Sequence, residues 1–264
     1  MNTFTQITKK QDSICPLAIK FVMGGGDSMA EEHNCSYCNN HLCVHKVPIF
    51  SSLNHEDLLK ISQWIEHREY KKGEILFHTG DSVDFLIIMD VGSVKAYKYT
   101  QDGREQILYI FSEGDFFGEQ YLLNNLNASY TVEALENVKV CMLTKTQFRH
   151  LLAAYPDIAV KIIEELGGRM ATLENTMQSL GIRSIDSRIS SLLMDFSEKY
   201  GRTVPEGILI RLPLSREGIA NYLGIARETV SRKLMQLEND GIIRSVSNKS
   251  LLLLDIEVLK EAAT

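Results

Sequence analysis

Hydrophobic and polar positions change their period twice along the 264 residues. From residue 47 to about 146, short apolar runs such as Phe85-Leu86-Ile87-Ile88-Met89 and Ile107-Leu108-Tyr109-Ile110-Phe111 alternate with turn glycines at 73, 80, 92, 103, 114 and 118. Runs of this length between closely spaced turns predict a β-barrel or jelly roll. A short helix precedes them, with Leu58, Ile61 and Ile65 on one face and Asn54 as its cap. From Pro156 the period becomes helical. Ile163, Leu166, Met170, Leu173, Met177 and Leu180 follow one another at spacings of 3, 4, 3, 4 and 3. That is the seam of a two-helix interface, and the expected partner is a second copy of the chain. A helix packed on its own domain would also carry such a run, but Gly167 and Gly168 would weaken a helix standing alone.

The last block predicts a helix over 185–200, a strand over 208–212, two more helices, and an apolar hairpin with Asn248-Lys249 at its tip. Ser215 is placed to cap the first of the two helices, and Gly224 breaks it. The second runs from about Arg227 to Asn239. Ala220 lets the two helices approach, and Val230 packs back on the first. Ile219, Leu223, Ile225, Leu234 and Leu237 complete one core. This is a helix-turn-helix. Its outward face carries Arg227, Glu228, Ser231, Arg232 and Lys233, residue types that read base edges in a major groove. Lys249, at the hairpin tip, is suited to a phosphate, and Ser215 is counted with the DNA-binding residues.

Composition narrows the classes. Apolar residues make up 44% and charged residues 23%, a globular balance that argues against disorder. The formal charge is −6, so nucleic acid must meet a local basic face. Residues 211–250 supply one, with seven basic residues against four acidic ones. No apolar run approaches the ~18 residues of a membrane span. Nucleotide loop, nucleophile elbow and paired acid/base residues are absent from the pattern, so an enzyme is not expected.

Five cysteines are too few for a disulfide framework in a chain this long. Cys35, Cys38 and Cys43 fall within nine residues, which reads as a metal or redox site in a reducing cytoplasm. Cys141 lies in Val138-Lys139-Val140-Cys141-Met142. In a strand, Val138, Val140 and Met142 face one way, and Cys141 faces the other with Lys139, so Cys141 is not expected in the core. Cys15 reads as a free cysteine in a mobile tail.

From about Cys35 onward the chain resembles the CRP/FNR superfamily of bacterial transcription regulators. Gly114-Asp115-Phe116-Phe117-Gly118-Glu119 and Arg227-Glu228-Thr229-Val230-Ser231-Arg232 carry the resemblance. It implies an α+β architecture: a Cys-containing N-terminal segment (1–46), a cyclic-nucleotide-binding-like β-roll (47–153), a long dimerisation helix (154–182) and a winged helix-turn-helix (183–264). It further implies a cytoplasmic homodimer on palindromic double-stranded DNA, working with RNA polymerase. Glu228, Ser231 and Arg232 resemble the FNR-type reading head and Arg227 the CRP-type head, so the half-site stays open between TTGAT-like and TGTGA-like.

Members of the CRP branch hold cyclic AMP through a Gly-Glu pair and a downstream Arg-Ser pair. Gly118-Glu119 is present, but the arginine position is Ala128, so the cyclic phosphate would lose its bidentate partner. Cyclic AMP is not expected, and Gly118-Glu119 reads as a turn kept for the fold. By resemblance to FNR proteins, Cys35, Cys38, Cys43 and Cys141 would hold a 4Fe–4S cluster that senses oxygen or redox state. Four residues separate Cys38 from Cys43, where FNR proteins usually have five. Three alternatives remain: a Cys43–Cys141 dithiol–disulfide switch, as in a branch from low-GC bacteria; zinc on the same cysteines with His33 or His45; and a small ligand in the roll.

Overall fold

The computed structural model describes residues 47–124, 126–182 and 184–263, and for 175–182 the backbone alone. A 3-10 turn, Pro48–Phe50, leads into helix α1 (His55–Ser62). Asn54 caps α1 by accepting from the Asp57 amide at 2.9 Å, and Leu58 and Ile61 are buried, as the pattern predicts. Eight strands follow: β1 (Glu66–Tyr70), β2 (Ile75–Phe77), β3 (Phe85–Val91), β4 (Ser93–Tyr99), β5 (Glu105–Ser112), β6 (Phe116–Phe117), β7 (Thr131–Ala134) and β8 (Val138–Thr144). Helix α2 (Glu119–Asn124) stands between β6 and β7. The strands form two antiparallel sheets, ordered β1-β8-β3-β6 and β2-β7-β4-β5. All six turn glycines of the sequence pattern have positive φ.

The first sheet is buried on both faces. Ile87, Met89, Phe117, Val138, Val140 and Met142 point into the roll interior. Their neighbours Leu86, Ile88, Phe116, Cys141 and Leu143 point into a second core. That second core is covered by α1, by α3 (Lys145–Ala154), and by Ile158 and Ile162 of α4 (Pro156–Ile182). The alternation expected around Cys141 is therefore correct, but its consequence is not. Cys141 is fully buried, because a helical layer covers the face it shares with Leu143.

Thr144 ends β8 and caps α3 in a reciprocal box with Gln147. Pro156 then opens α4 at a position where its missing N–H costs nothing, and Tyr155 before it leaves the helical region. Along α4, Ile158 and Ile162 turn inward and Leu166 packs partly on the same core. Ile163 (68% exposed), Met170 (62%), Leu173 and Val160 turn outward. Gly167 has open space around it. The outward stripe holds three of the predicted seam residues and adds Val160; Leu166 leans toward the roll. The side chains of Met177 and Leu180 lie outside the described residues.

The C-terminal part comprises α5 (Ile185–Tyr200), β9 (Gly201–Val204), β10 (Gly207–Arg211), α6 (Arg216–Leu223), α7 (Arg227–Asn239), β11 (Ile243–Ser247), β12 (Ser250–Leu253) and α8 (Ile256–Ala263). Its sheet runs β11-β12-β10-β9. Strand β9 and helix α8 have no counterpart in the sequence reading. Leu259 of α8 and Ile189, Leu192, Leu193 and Phe196 of α5 meet the predicted helix-turn-helix residues in one core. Among the described residues no helix is long and apolar enough to cross a membrane.

Gly118, in the turn before α2, has both a positive φ and backbone packed against it. Its φ is +95°, and an added Cβ would lie 2.6 Å from the Phe85 carbonyl oxygen. Gly103 has φ +79° with open space around it. Gly118→Ala is expected to lower unfolding stability by about 3 kcal/mol or more, adding a clash to backbone strain, and Gly103→Ala by about 1 kcal/mol. Urea midpoints measure both, and equal losses would contradict the steric argument.

Candidate nucleic-acid interface and thiol site

The helix-turn-helix is built as its sequence requires. Ser215 caps α6 by accepting from the Gly218 amide at 3.1 Å. Gly224 ends α6 in the left-handed region, φ 64° and ψ 37°. Ala220 and Val230 are buried at the crossing of α6 and α7. Ala226 precedes α7 and offers it no side-chain cap, so the first amides of α7 are left for water or a phosphate.

Arg227, Glu228 and Arg232 are exposed, and Ser231 is half-buried beside them. An open polar recess of about 480 Å³ joins Ser215, Arg227 and Ser231. Arg216, Glu217 and Asn248 complete its lining. These three were not singled out from the sequence. Arg216 and Glu217 sit in the first turn of α6 and Asn248 at the wing tip, so only the folded hairpin brings them together. Lys249 is exposed next to Asn248. Lys233 is directed elsewhere: its Nζ pairs with Asp186 of α5 at 2.7 Å and with Gln236 at 3.2 Å. It ties α7 to α5 and is not part of the recess.

The reading head is docked on the roll. Asn221 of α6 donates to Glu105 at 3.2 Å, and Gln106 donates to the Tyr222 carbonyl at 3.2 Å. Ser112 meets the Tyr200 hydroxyl at 2.7 Å, and Lys199 pairs with Asp115 at 2.5 Å. Tyr97 and Ile107 of the roll join the C-terminal core directly.

The roll interior is filled by aromatic rings. Phe77, Phe117, Tyr121, Tyr130, Tyr109 and Phe111 contact one another with centroids 4.6 to 6.3 Å apart. Ala128, at the place where the cyclic-nucleotide branch has arginine, is buried, and the Ser129 amide donates to the Tyr121 hydroxyl at 3.0 Å. Gly118 does form the expected turn. Glu119 is more than a relic of it: it is buried and paired with Arg169 of α4 at 3.2 Å.

Cys141 faces His67 across the β1–β8 pair, with the sulfur 3.5 Å from His67 Nδ1. Burial holds His67 below its ordinary pKa. The Cys141 sulfur is disulfide-bonded. Cys15, Cys35, Cys38 and Cys43, like His33 and His45, lie outside the described residues. Among the described residues no group of three or more His, Cys, Asp or Glu is placed to hold a metal ion.

A β-roll carried on a long helix and joined to a winged helix-turn-helix defines a DNA-binding transcription regulator. Residues 67–155 match the cyclic nucleotide-binding domain model, and residues 187–262 match the Crp-like helix-turn-helix domain model. The chain is 31% identical to the "Probable transcriptional regulator flp" of Lacticaseibacillus casei, over 84% of this chain and 99% of that one. It is 26% identical to the fumarate and nitrate reduction regulatory protein of Yersinia pestis, over 93% of this chain and 94% of the relative. A CooA variant structure from Carboxydothermus hydrogenoformans shares the fold, with a TM-score of 0.68 at 24% identity over 82% of this chain and 94% of that one. The protein belongs to the CRP/FNR family of transcription regulators, a family that is not enzymatic.

Substitution of two exposed side chains on this face tests sequence reading against general attraction. Arg232→Ala is expected to cost about 1–3 kcal/mol on a cognate site and to relax base preference at one position. Lys249→Ala is expected to weaken all DNA alike and to reduce the salt slope by about one. Fluorescence anisotropy on specific and random duplexes across a salt series measures both. Parallel losses for the two variants would contradict the division.

Proposed function

We propose that this regulator acts as a homodimer on palindromic DNA and is gated by a dithiol–disulfide switch joining Cys141 to the N-terminal cysteine group, with Cys43 as its partner. The observation that carries the reading is the disulfide-bonded sulfur of Cys141 in a dry core between sheet and helices. Oxidation joins two thiols with loss of two electrons and two protons to an oxidant, and a low-molecular-weight thiol reverses it. The outward stripe Val160, Ile163, Met170 and Leu173 supports the dimer, since a lone helix with these side chains in water gains nothing from them.

A second reading is the four-cysteine cluster. The spacing Cys35-x2-Cys38-x4-Cys43 and the similarity to the Yersinia pestis regulator favour it. Cys35, Cys38, Cys43 and Cys141 would hold a 4Fe–4S group whose loss in oxygen supplies the signal. A sulfur already bonded to sulfur is not a thiolate ligand, so the arrangement around Cys141 fits the dithiol pair first and a cluster only in its reduced form. The filled roll and Ala128 support the absence of cyclic AMP as effector. A TTGAT-like or TGTGA-like half-site, contact with RNA polymerase and a cytoplasmic location belong to the same proposal.

Substitution of single cysteines separates the two readings. In the dithiol reading, Cys43→Ser and Cys141→Ser remove the redox dependence of DNA binding, while Cys35→Ser and Cys38→Ser leave it intact. Duplexes carrying paired TTGAT or TGTGA half-sites, with protein reduced and then oxidised, provide the assay. Redox dependence lost in all four variants, together with a brown anaerobic protein containing iron and sulfide, would replace the dithiol switch by the cluster. Independently, Leu173→Asp is expected to give a monomer by light scattering, with affinity for paired half-sites lost. A dimeric Leu173→Asp protein would place the interface elsewhere.

A further inference from the structure

Among the described residues one buried side-chain polar atom has no hydrogen-bond partner: Glu119 Oε2. Its sister oxygen Oε1 accepts from Arg169 Nη1 at 3.2 Å. The other arm of the guanidinium, Nη2, donates to the Phe116 carbonyl at 2.7 Å. Its central carbon lies 4.7 Å from the Phe116 ring centroid and 5.5 Å from that of Phe111. Nε lies 3.5 Å from Glu165 on the preceding turn of α4. The Glu119 side chain is 5% exposed and that of Arg169 20%. Carboxylate, carbonyl and two ring faces together make up what a planar guanidinium requires. Burial pushes the Glu119 carboxyl up, and the Arg169 charge opposes this.

The position of this contact sets its consequence. Glu119 opens α2 on the roll, and Arg169 sits on α4 next to Met170 of the outward stripe. Phe111 stacks on Phe117 with centroids 4.6 Å apart, so the ring under Arg169 belongs to the aromatic interior of the roll. The contact therefore joins the packing of the roll to the set of the long helix.

We infer that the pocket at Glu119, Phe111 and Phe116 is a guanidinium-binding site whose occupant is the chain's own Arg169, a tethered effector that locks the roll onto α4 in the arrangement that binds DNA. This goes beyond the redox reading and does not rest on it, since only DNA binding and dimer-helix placement are involved. A buried carboxylate whose cation is removed is left uncompensated, which makes the empty pocket unfavourable and receptive to a free guanidinium. A lysine at the same place supplies the charge without the fork or the stacking plane.

The test uses full-length Arg169→Ala with methylguanidinium at millimolar concentration, and sodium and methylammonium chloride as ionic-strength controls. The duplex is one bound by the unaltered protein in the half-site assay. Affinity is expected to fall about tenfold in Arg169→Ala and to recover most of that loss with methylguanidinium alone. The melting temperature of the variant is expected to rise with methylguanidinium and not with the control salts. Unaltered protein and the double variant Glu119→Gln/Arg169→Ala are expected to show neither effect. Wild-type affinity in Arg169→Ala, a loss that methylguanidinium does not restore, or equal restoration by the control salts each overturns the inference. Where Arg169→Ala fails to fold, Arg169→Lys replaces it, and unchanged DNA affinity in that variant overturns the inference equally.

Discussion

The two-sided burial of one sheet is the constraint on which the other features depend. A sheet that covers a single core can leave its outer face wet. Here every position of Val138 to Leu143 except Lys139 is buried, with odd and even neighbours serving different cores. The roll interior and the helical layer are thus separated by one strand thickness. Any change in how β8 sits is felt on both sides, because close-packed cores do not deform continuously. The helices that follow inherit their direction from this strand, since Thr144 both ends it and caps α3. Pro156 then redirects the chain into α4 within two residues of the end of α3.

The reading head is joined to the same frame by more than the connecting helix. Tyr97 and Ile107 place roll side chains inside the C-terminal core, and Glu105, Gln106, Ser112 and Asp115 hydrogen-bond to α5 or α6. Both polar and apolar contacts therefore fix α6, and α7 crosses α6 at Ala220 and Val230. The orientation of the exposed arginines follows from the packing of the β4–β5 hairpin as well as from the helix-turn-helix itself. An equilibrium between two settings of the head would have to break or exchange these contacts as a group, which is how a small change elsewhere becomes an all-or-none response.

Local rules made much of this legible in the sequence. Turn glycines, the Asn54 and Ser215 caps and the Gly224 break each depend on a few neighbouring residues, and the structure has them where the pattern places them. What depended on distant chain segments was not legible. Alternation in β8 told which residues share a face but not that helices cover the second face, so Cys141 was expected outside the core. Lys233 looks like its neighbours in sequence, and only the approach of Asp186 turns it toward α5. Arg216 and Asn248 meet at one recess because the wing folds back on α6. Glu119 read as part of a turn because its partner lies fifty residues ahead in the chain. Helix α8 was missed since its buried residue is the lone Leu259.

The chemistry of sulfur in this setting follows from the same burial. A neutral thiol and a disulfide are both tolerated in a dry core, whereas a bare thiolate is not without a compensating charge or metal. A dithiol pair can thus pass between its two states at Cys141 without leaving a charge in the core. The sulfur shares its core with Ile158 and Ile162 of α4, while Arg169, two turns further along the same face, is held by the roll through Glu119. In the proposed readings, sulfur chemistry and the guanidinium contact would act on one helix about two turns apart. The exposed stripe of that helix, from Val160 to Leu173, runs alongside this inner face, with Met170 next to Arg169 in the chain. A shift of α4 small enough to be absorbed at its inner face would change the register of that stripe against a second copy. In the proposed dimer, this links the state of one buried sulfur to the spacing of two reading heads.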